Sequence, residues 1–206
     1  NRSYPYRLLR PSNRNSSAPL VIFLHGAGER GNDNQRQLTY LPERFLDAPH
    51  LNTRNCFVLA PQCPSDDAWA PFGPRGPEPA GQTMAMKAAI ATISKILSEE
   101  NIDYSRIYLT GLSMGGFGSW DLAARHPDWF AAVVPICGGG DPRSANKLTD
   151  VPIWAFHGDA DKIVPIDPHQ ELIESVNSNG GNAKLTVIPG GTHASIIIPV
   201  YQREDL

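Results

Sequence analysis

The chain has 206 residues, of which 41% are hydrophobic and 19% are charged, and its formal net charge is -3. This composition is typical of one globular domain with a substantial core, and it offers no basic surface for nucleic acid or an anionic membrane. No apolar run approaches the roughly 20 residues that cross a bilayer, so no membrane span is expected.

Three strands are predicted in the first part of the chain. The segment YRLLRP (6–11) indicates an edge strand, and the apolar runs PLVIFLHG (19–26) and CFVLAPQ (56–62) are typical of strands covered on both faces. The segment 61–80 carries six prolines, which exclude a helix or a central strand.

Helices and strands alternate along the rest of the sequence. The stretch 83–100 predicts an amphipathic helix, because apolar side chains recur at helical spacing: Met86, Ile90, Ile93 and Leu97. Further helices are predicted at 114–126 and 168–180, and further strands at 106–113, 131–138, 151–158 and 183–190. The alternation predicts an α/β fold in a single domain, 1–206, with a mostly parallel central sheet and helices on both faces.

The end of the sequence departs from this pattern. The segment 190–206 predicts no further helix, although a sheet of this class normally covers its last strand with one more. We therefore expect that terminal helix to be missing or disordered, as in a truncated or partly ordered chain.

The three cysteines leave the redox compartment open. Cys56 and Cys63 flank a predicted strand and would lie about 23 Å apart at about 3.3 Å per residue. A disulfide tolerates a Cα separation of only about 7 Å, so these two cannot pair while the strand exists. Cys137 could pair only if the fold brings it close, and we expect mostly free, buried thiols.

The stretch GLSMG (111–115) lies where a predicted strand meets a predicted helix, which is where functional groups gather in a parallel sheet. The pattern G-x-S-x-G at such a junction indicates a nucleophile elbow, a tight turn that lifts the serine hydroxyl clear of the sheet. The positive end of the following helix favours a developing negative charge. We predict that Ser113 is a nucleophile; a serine that caps the helix is the alternative.

A serine hydroxyl needs a base, and in this architecture the acid and the histidine follow the serine in that order. Of the six histidines, His193 in the glycine-rich loop PGGTHAS fits best, because a loop after the last strand can place its imidazole over the elbow. A solvated loop histidine is the alternative. His169, at the start of a helix, is predicted to be an exposed polar side chain.

The acid must orient the imidazole and stabilise its charged form. FHGDADKIVP offers Asp159 and Asp161 just beyond a strand, and Asp141 follows the preceding strand. We favour Asp161 because it lies further out on its loop, whereas Asp159 is expected to brace the turn. Asp141 and Asp159 stay open as alternatives.

An oxyanion needs two preorganised donors. The backbone N–H of Met114, next to the serine, is predicted to be one of them. The loop HGAGERG (25–31) should supply the other, and we expect the N–H of Ala27 because its glycine neighbours let the chain turn inward.

The same loop matches the dinucleotide pattern G-x-G-x-x-G through Gly26, Gly28 and Gly31. The sequence after it is a poor start for a close-packed helix, and no acidic residue follows a second strand at the required distance. We therefore expect no nucleotide cofactor. The histidines and cysteines show no metal-ligand spacing, so no metal is expected either.

These motifs together resemble the α/β-hydrolase superfamily: HGAGERG, APQCP, GLSMGGFGSWDLAARHP, PICGGGD, FHGDADKIVP and GGTH. More narrowly, they are similar to small serine esterases of the phospholipase/carboxylesterase type, which include predicted peptidases and polyhydroxybutyrate-depolymerase-like and feruloyl-esterase-like enzymes. The resemblance implies an α/β-hydrolase fold without a large lid and a carboxylesterase that needs no cofactor. It implies that Ser113, Asp161 and His193 form the triad, with Ala27 and Met114 as oxyanion donors. The apolar SIII (195–198) departs from the polar turn expected after the histidine.

The dienelactone hydrolases are a related branch with a cysteine nucleophile, and Ser113 argues against that branch. The resemblance also implies an open cleft for a small-molecule substrate, a short or soluble acyl ester. Trp69 and Phe72 are predicted to form an apolar wall for it, unless they pin the proline-rich loop to the core.

Other functions remain open at this point. A peptidase or an acyl-thioesterase would use the same triad, and a non-catalytic binding domain could keep the fold. Low charge and many prolines favour a secreted enzyme or a domain of one, while the oligomeric state is not indicated by the sequence.

Overall fold

A computed structural model of the protein describes residues 4–13, 15–43, 55–73, 76–77 and 81–206. Nine strands lie in these ranges: β1 (Tyr6–Leu9), β2 (Ala18–Leu24), β3 (Phe57–Pro61), β4 (Phe72–Gly73), β5 (Gly76–Pro77), β6 (Ile102–Leu112), β7 (Ala132–Ile136), β8 (Ile153–Gly158) and β9 (Ala183–Ile188). Four α-helices lie wholly within the described ranges: α1 (Met84–Glu99), α2 (Met114–Arg125), α3 (Asp167–Ser178) and α4 (Ile197–Tyr201).

Seven of the strands form one sheet, in the order β1-β3-β2-β6-β7-β8-β9, and β4 and β5 form a separate two-stranded sheet. β1 runs antiparallel to β3 at the edge of the sheet, and every other neighbouring pair is parallel. The predicted α/β fold with a mostly parallel sheet is therefore confirmed. β6 begins at Ile102, four residues before the predicted start, and lies at the centre of the sheet.

The two faces of the sheet bury different sets of side chains, because successive residues of a strand point to opposite faces. Leu20, Ile22 and Leu24 of β2 join a core that also contains apolar residues of α1, α2 and α3. Phe23, between them, joins a second core with buried residues of α4. Helices thus lie on both faces, as the sequence predicts.

The end of the chain differs from the sequence-based expectation of no further helix. α4 forms after β9, and its residues Ile197, Val200 and Tyr201 are buried in the second core. The Tyr201 hydroxyl lies 3.1 Å from the Thr110 hydroxyl of β6. This packing explains two apolar residues of the run after the candidate base, since Ile196 and Ile197 are buried, whereas Ile198 is exposed.

No α-helix of the described residues combines the length and the apolar character that crossing a bilayer requires.

Candidate active site

Ser113 occupies a strained turn between β6 and α2. Its φ is 54° and its ψ is -118°, a combination that non-glycine residues rarely adopt. The Ser113 N–H donates to the carbonyl of Ile136 at 2.9 Å, and its own carbonyl accepts the first hydrogen bond of α2, from Phe117 N at 3.0 Å. The turn is therefore fixed from the sheet on one side and from the helix on the other.

Glycine is required on both sides of this serine. A Cβ at Gly111 would collide with the carbonyl of Gly115, and a Cβ at Gly115 would collide with the carbonyl of Leu24 in β2. Both collisions are with backbone atoms, which cannot rotate away. The two glycines of GLSMG therefore allow α2 to start directly against the ends of β2 and β6.

His193 lies between Ser113 and Asp161. Its Nε2 is 2.9 Å from Ser113 Oγ, and its Nδ1 is 2.6 Å from Asp161 Oδ2. The three side chains follow the ends of β6, β8 and β9. Along the chain, Ser113 lies 80 residues and Asp161 lies 32 residues from His193. Because Asp161 Oδ2 only accepts, Nδ1 carries the proton and Nε2 is free to accept the Ser113 hydroxyl proton.

Asp161 is held as a carboxylate by its own loop. Burial alone would raise its pKa, but hydrogen bonds from the N–H groups of Val164 and Ile163 and from His193 outweigh burial, and the net pKa is lowered. The two N–H groups reach Oδ1 at 2.9 and 2.8 Å, which leaves Oδ2 for His193. The carboxylate therefore stays charged and points at the imidazole.

The two alternative acids lie elsewhere. Asp159 Oδ1 accepts from Gly190 N at 2.7 Å, so it ties the turn after β8 to the turn after β9. Asp141 caps the short 3-10 helix Pro142–Lys147 and pairs with Arg143 at 2.7 Å. Of the three candidate acids, the structure brings only Asp161 to His193.

The backbone N–H groups of Ala27 and Met114 lie at the starts of two helical segments, a 3-10 helix (Ala27–Glu29) and α2. The first N–H groups of a helix have no partner within it. No described residue accepts a hydrogen bond from either N–H. Both are therefore available to a ligand, as an oxyanion donor must be.

His25, which the sequence analysis passed over, sets the orientation of the Ala27 N–H. The Cys63 N–H donates to His25 Nε2 at 2.9 Å, so the His25 proton is on Nδ1, which lies 2.6 Å from the Gly26 carbonyl. In a trans peptide the carbonyl and the next N–H point in opposite directions. Because His25 holds the Gly26 carbonyl, the Ala27 N–H of the same peptide points away from the His25 ring.

Trp69 lies in the core beneath this loop. It is 1% exposed, and its Nε1 donates to the carbonyl of His25 at 3.0 Å. A Cβ at Gly118 of α2 would collide with Trp69 Cβ, so the ring packs closely on that helix. Trp69 is thus covered by the protein itself, which fits the alternative that it pins the proline-rich loop to the core. The Phe72 side chain lies outside the described residues.

His169 is not the exposed side chain that the sequence predicted. It is fully buried between Trp120 of α2 and His157 of β8, and burial lowers its pKa to about 3. The prediction is wrong because the first turn of α3 faces α2 rather than solvent. His157 is also fully buried, and burial lowers its pKa.

Buried neutral histidines make the stability of the fold depend on pH. Burial lowers the pKa of His25 to about 4, despite a hydrogen bond to the Gly26 carbonyl, and that of His169 to about 3. The unfolded chain takes up these protons below about pH 6.5, before the folded chain does. Above that pH the unfolding free energy should include the whole contribution of these histidines. Below it, the unfolding free energy should fall by about 1.4 kcal/mol per pH unit for His25 and by the same amount for His169.

Urea unfolding between about pH 7.5 and about pH 5 measures this slope. The variant H169Q removes one of the three buried histidines with a lowered pKa and should show a shallower slope over the same range. An unfolding free energy that does not change with pH, or a slope unaffected by H169Q, would contradict the prediction.

Within the part of the chain that the structure describes, none of the three cysteines forms a disulfide and all three are buried, which agrees with the predicted state of the thiols. Cys137 lies beside the site, with its ligand atom and those of Asp161 and His193 all within 4.8 Å of one another. Burial raises the pKa of the Cys137 thiol to about 12, so it stays protonated at neutral pH. A protonated thiol is a poor metal ligand, and Asp161 and His193 already bind each other.

Comparison with known proteins finds esterases and a depolymerase among the similar chains. A solved structure titled as a thermostable esterase is 39% identical, with a TM-score of 0.88, over 98% of this chain and 57% of that one. The poly(3-hydroxyalkanoate) depolymerase C of Paucimonas lemoignei is 33% identical over 137 residues, which is 63% of this chain and 30% of that protein. A probable feruloyl esterase C of Aspergillus oryzae is 27% identical over 195 residues, 93% of this chain and 68% of that protein. The chain thus spans under a third of the depolymerase and little more than half of the thermostable esterase.

These relatives confirm the resemblance to esterases of the α/β-hydrolase fold. One expectation is wrong, namely that Ser113 places the chain outside the dienelactone hydrolase branch. Serine and cysteine differ only in the atom attached to Cβ, so the nucleophile alone does not exclude membership. The dienelactone hydrolase family model matches residues 77–196, more than half of the sequence, and the chain belongs to the dienelactone hydrolase family.

Proposed function

We propose that the protein is a serine carboxylesterase that hydrolyses short or soluble acyl esters through an acyl-enzyme intermediate. The observation that carries the proposal is the continuous hydrogen-bonded link from Ser113 Oγ through His193 to Asp161. It is supported by the strained turn at Ser113 and by two unused N–H groups on neighbouring segments. Esterases among the relatives support the choice of ester bonds.

The first half of the reaction forms the acyl-enzyme. His193 Nε2 takes the hydroxyl proton as Ser113 Oγ attacks the ester carbonyl, and Asp161 stabilises the imidazolium that results. The carbonyl oxygen becomes an oxyanion that accepts from the N–H groups of Ala27 and Met114, each contributing on the order of 3 kcal/mol to the transition state. The imidazolium then protonates the leaving alkoxide, and the alcohol departs.

The second half reverses these proton movements with water. His193 removes a proton from a water molecule, which attacks the acyl carbonyl, and the same two N–H groups hold the second oxyanion. The intermediate collapses, Ser113 recovers its proton from His193, and the carboxylic acid leaves. None of these steps requires a group beyond the residues named.

The surroundings of the site favour a compact substrate. Ser113 and His193 are half-buried, while Ala27, Gly28 and Ala194 beside them are exposed, so the reacting atoms lie near the surface. We infer a short acyl group because the exposed residues beside the serine and the histidine have small side chains or none, and such a group needs only the atoms next to the carbonyl to be held.

A panel of p-nitrophenyl esters of rising acyl length, beside an acyl thioester and a peptide p-nitroanilide, tests the proposal. We expect kcat/KM to be greatest for the short esters and to fall as the chain lengthens. Faster turnover of the anilide at matched concentration would assign the protein to the peptidases, and faster turnover of the thioester would assign it to the thioesterases. No turnover of any substrate, with no labelling of Ser113 by a phosphonate, would favour a binding domain.

A further inference from the structure

Three fully buried side chains, Trp120, His169 and His157, form a hydrogen-bonded chain that ends beside Asp161. Trp120 Nε1 lies 3.2 Å from His169 Nε2, and His169 Nδ1 lies 2.8 Å from His157 Nδ1. His157 Nε2 lies 3.0 Å from the carbonyl oxygen of Val164. The chain thus connects α2, the start of α3, the end of β8 and the loop that carries the acid.

The direction of each hydrogen bond in this chain is determined by its two ends. The indole N–H of Trp120 can only donate, so His169 Nε2 must accept and the His169 proton lies on Nδ1. That proton is donated to His157 Nδ1, which places the His157 proton on Nε2. The Val164 carbonyl can only accept, so the far end independently requires the same His157 tautomer. Both rings must be neutral, in agreement with the lowered pKa of each.

The chain reaches the acid through Val164 and through a 3.4 Å contact between His157 and Asp161. His157 Nε2, which donates to the Val164 carbonyl, also lies 3.4 Å from Asp161 Oδ2, the oxygen that accepts from His193. The N–H of Val164 donates to Asp161 Oδ1 at 2.9 Å. Val164 is therefore held at its carbonyl by His157 and holds the acid with its N–H. A rotation of the Asp161 carboxylate would break contacts to this loop as well as the contact to His193.

We propose that His157 is a positioning residue for Asp161, and that Trp120 and His169 act through it by imposing the tautomer that carries its proton on Nε2. The proposal rests on the proposed function, because the acid it concerns is that of the same triad. Among the described residues, His157 has hydrogen-bond or ion-pair contacts with His169, Val164 and Asp161, and Ser113 is not among them. Its effect is on the orientation of the carboxylate and, through it, of the imidazole that takes the serine proton.

Nitrogen-15 NMR of the unaltered protein tests the proposed tautomers directly. The shifts of protonated and unprotonated ring nitrogens are well separated, so we expect His157 to be protonated on Nε2 and His169 on Nδ1 at neutral pH. The opposite tautomer at either ring, or a charged ring, would overturn the proposal without any variant being made.

Two substitutions of His157 separate positioning from packing. A glutamine amide nitrogen reaches the place of ring Nε2, whereas an asparagine amide reaches only that of Nδ1. We expect H157Q to keep most of the wild-type kcat, and H157N to lose about tenfold to a hundredfold in kcat, the loss that misplacement by about 1 Å can cause. KM should change little in both. Rates are to be divided by the number of Ser113 sites that a phosphonate titrates, so that unfolded protein does not count.

Equal kcat per titrated site in H157Q and H157N would overturn the proposal, because a packing role does not depend on which nitrogen is replaced. The far-downfield proton signal of the His193 Nδ1–H to Asp161 bond gives a readout that needs no substrate. We expect H157Q to keep this signal and H157N to shift or broaden it. This readout also separates the two proposals: an altered signal in a protein that turns over no ester would contradict the esterase proposal and leave the positioning proposal standing.

Discussion

The variant S113A should lose ester hydrolysis by a factor on the order of 10⁶ in kcat, the size seen when a triad serine is removed from other hydrolases. The substitution removes only Oγ, and the methyl group that remains fits the same strained turn. We therefore expect the free energy of unfolding to stay near that of the wild type. The loss in kcat would then be chemical, since neither acyl-enzyme formation nor phosphonate labelling can occur without the hydroxyl.

Ester turnover by S113A and its unfolding in urea are the two measurements. S119A is a matched control, because Ser119 is a buried serine of α2 whose hydroxyl donates to the Gly115 carbonyl at 2.8 Å and does not reach His193. S119A should keep both turnover and labelling. Substantial turnover by folded S113A, or labelling of another serine in the wild type, would contradict the proposed function.

The variant D161N should lower kcat by about 10⁴-fold with little change in KM, as the equivalent change does in a serine protease. The new amide can donate to His193 Nδ1, which favours the tautomer that carries its proton on Nε2. That tautomer cannot accept the hydroxyl proton of Ser113. Geometry is then nearly unchanged while the base is lost, so substrate binding should persist.

D159N and D141N are the controls, because they alter the two acids that the sequence left open. Asp159 ties two turns together through Gly190, so D159N should lower the free energy of unfolding and change kcat little. Asp141 caps a short helix and should affect neither strongly. A loss of kcat in D159N or D141N as large as that in D161N would contradict the assignment of the acid.

The position of the candidate nucleophile could be predicted because its signals are local. The apolar run before Gly111, the glycines of GLSMG and the helical pattern after Met114 all concern residues adjacent in sequence. Backbone sterics at these few positions decide the turn. His193 could be predicted from the order of the elements. The loop after the last parallel strand lies at the carboxyl ends of the strands, and Ser113 lies there too.

Other features could not be predicted, because they depend on contacts between distant segments. His169 was expected to be exposed because it lies at the start of a helix. The sequence holds no sign that this turn packs on Trp120. The role of His25 in orienting a peptide depends on Cys63, which belongs to another loop. The burial of Trp69 beneath the same loop is a contact of this kind as well.

The sequence by itself determined the alternation of helices and strands, the elbow at Ser113 and the set of side chains that could serve as base and acid. These follow from periodic burial and from the backbone preferences of glycine and proline, which act over a few residues. Only the tertiary structure decided that Asp161, rather than Asp159 or Asp141, meets His193, and that His157 lies behind it. Those contacts depend on the register of β8 and β9 and on the packing of α3 against α2, which join residues far apart in the chain.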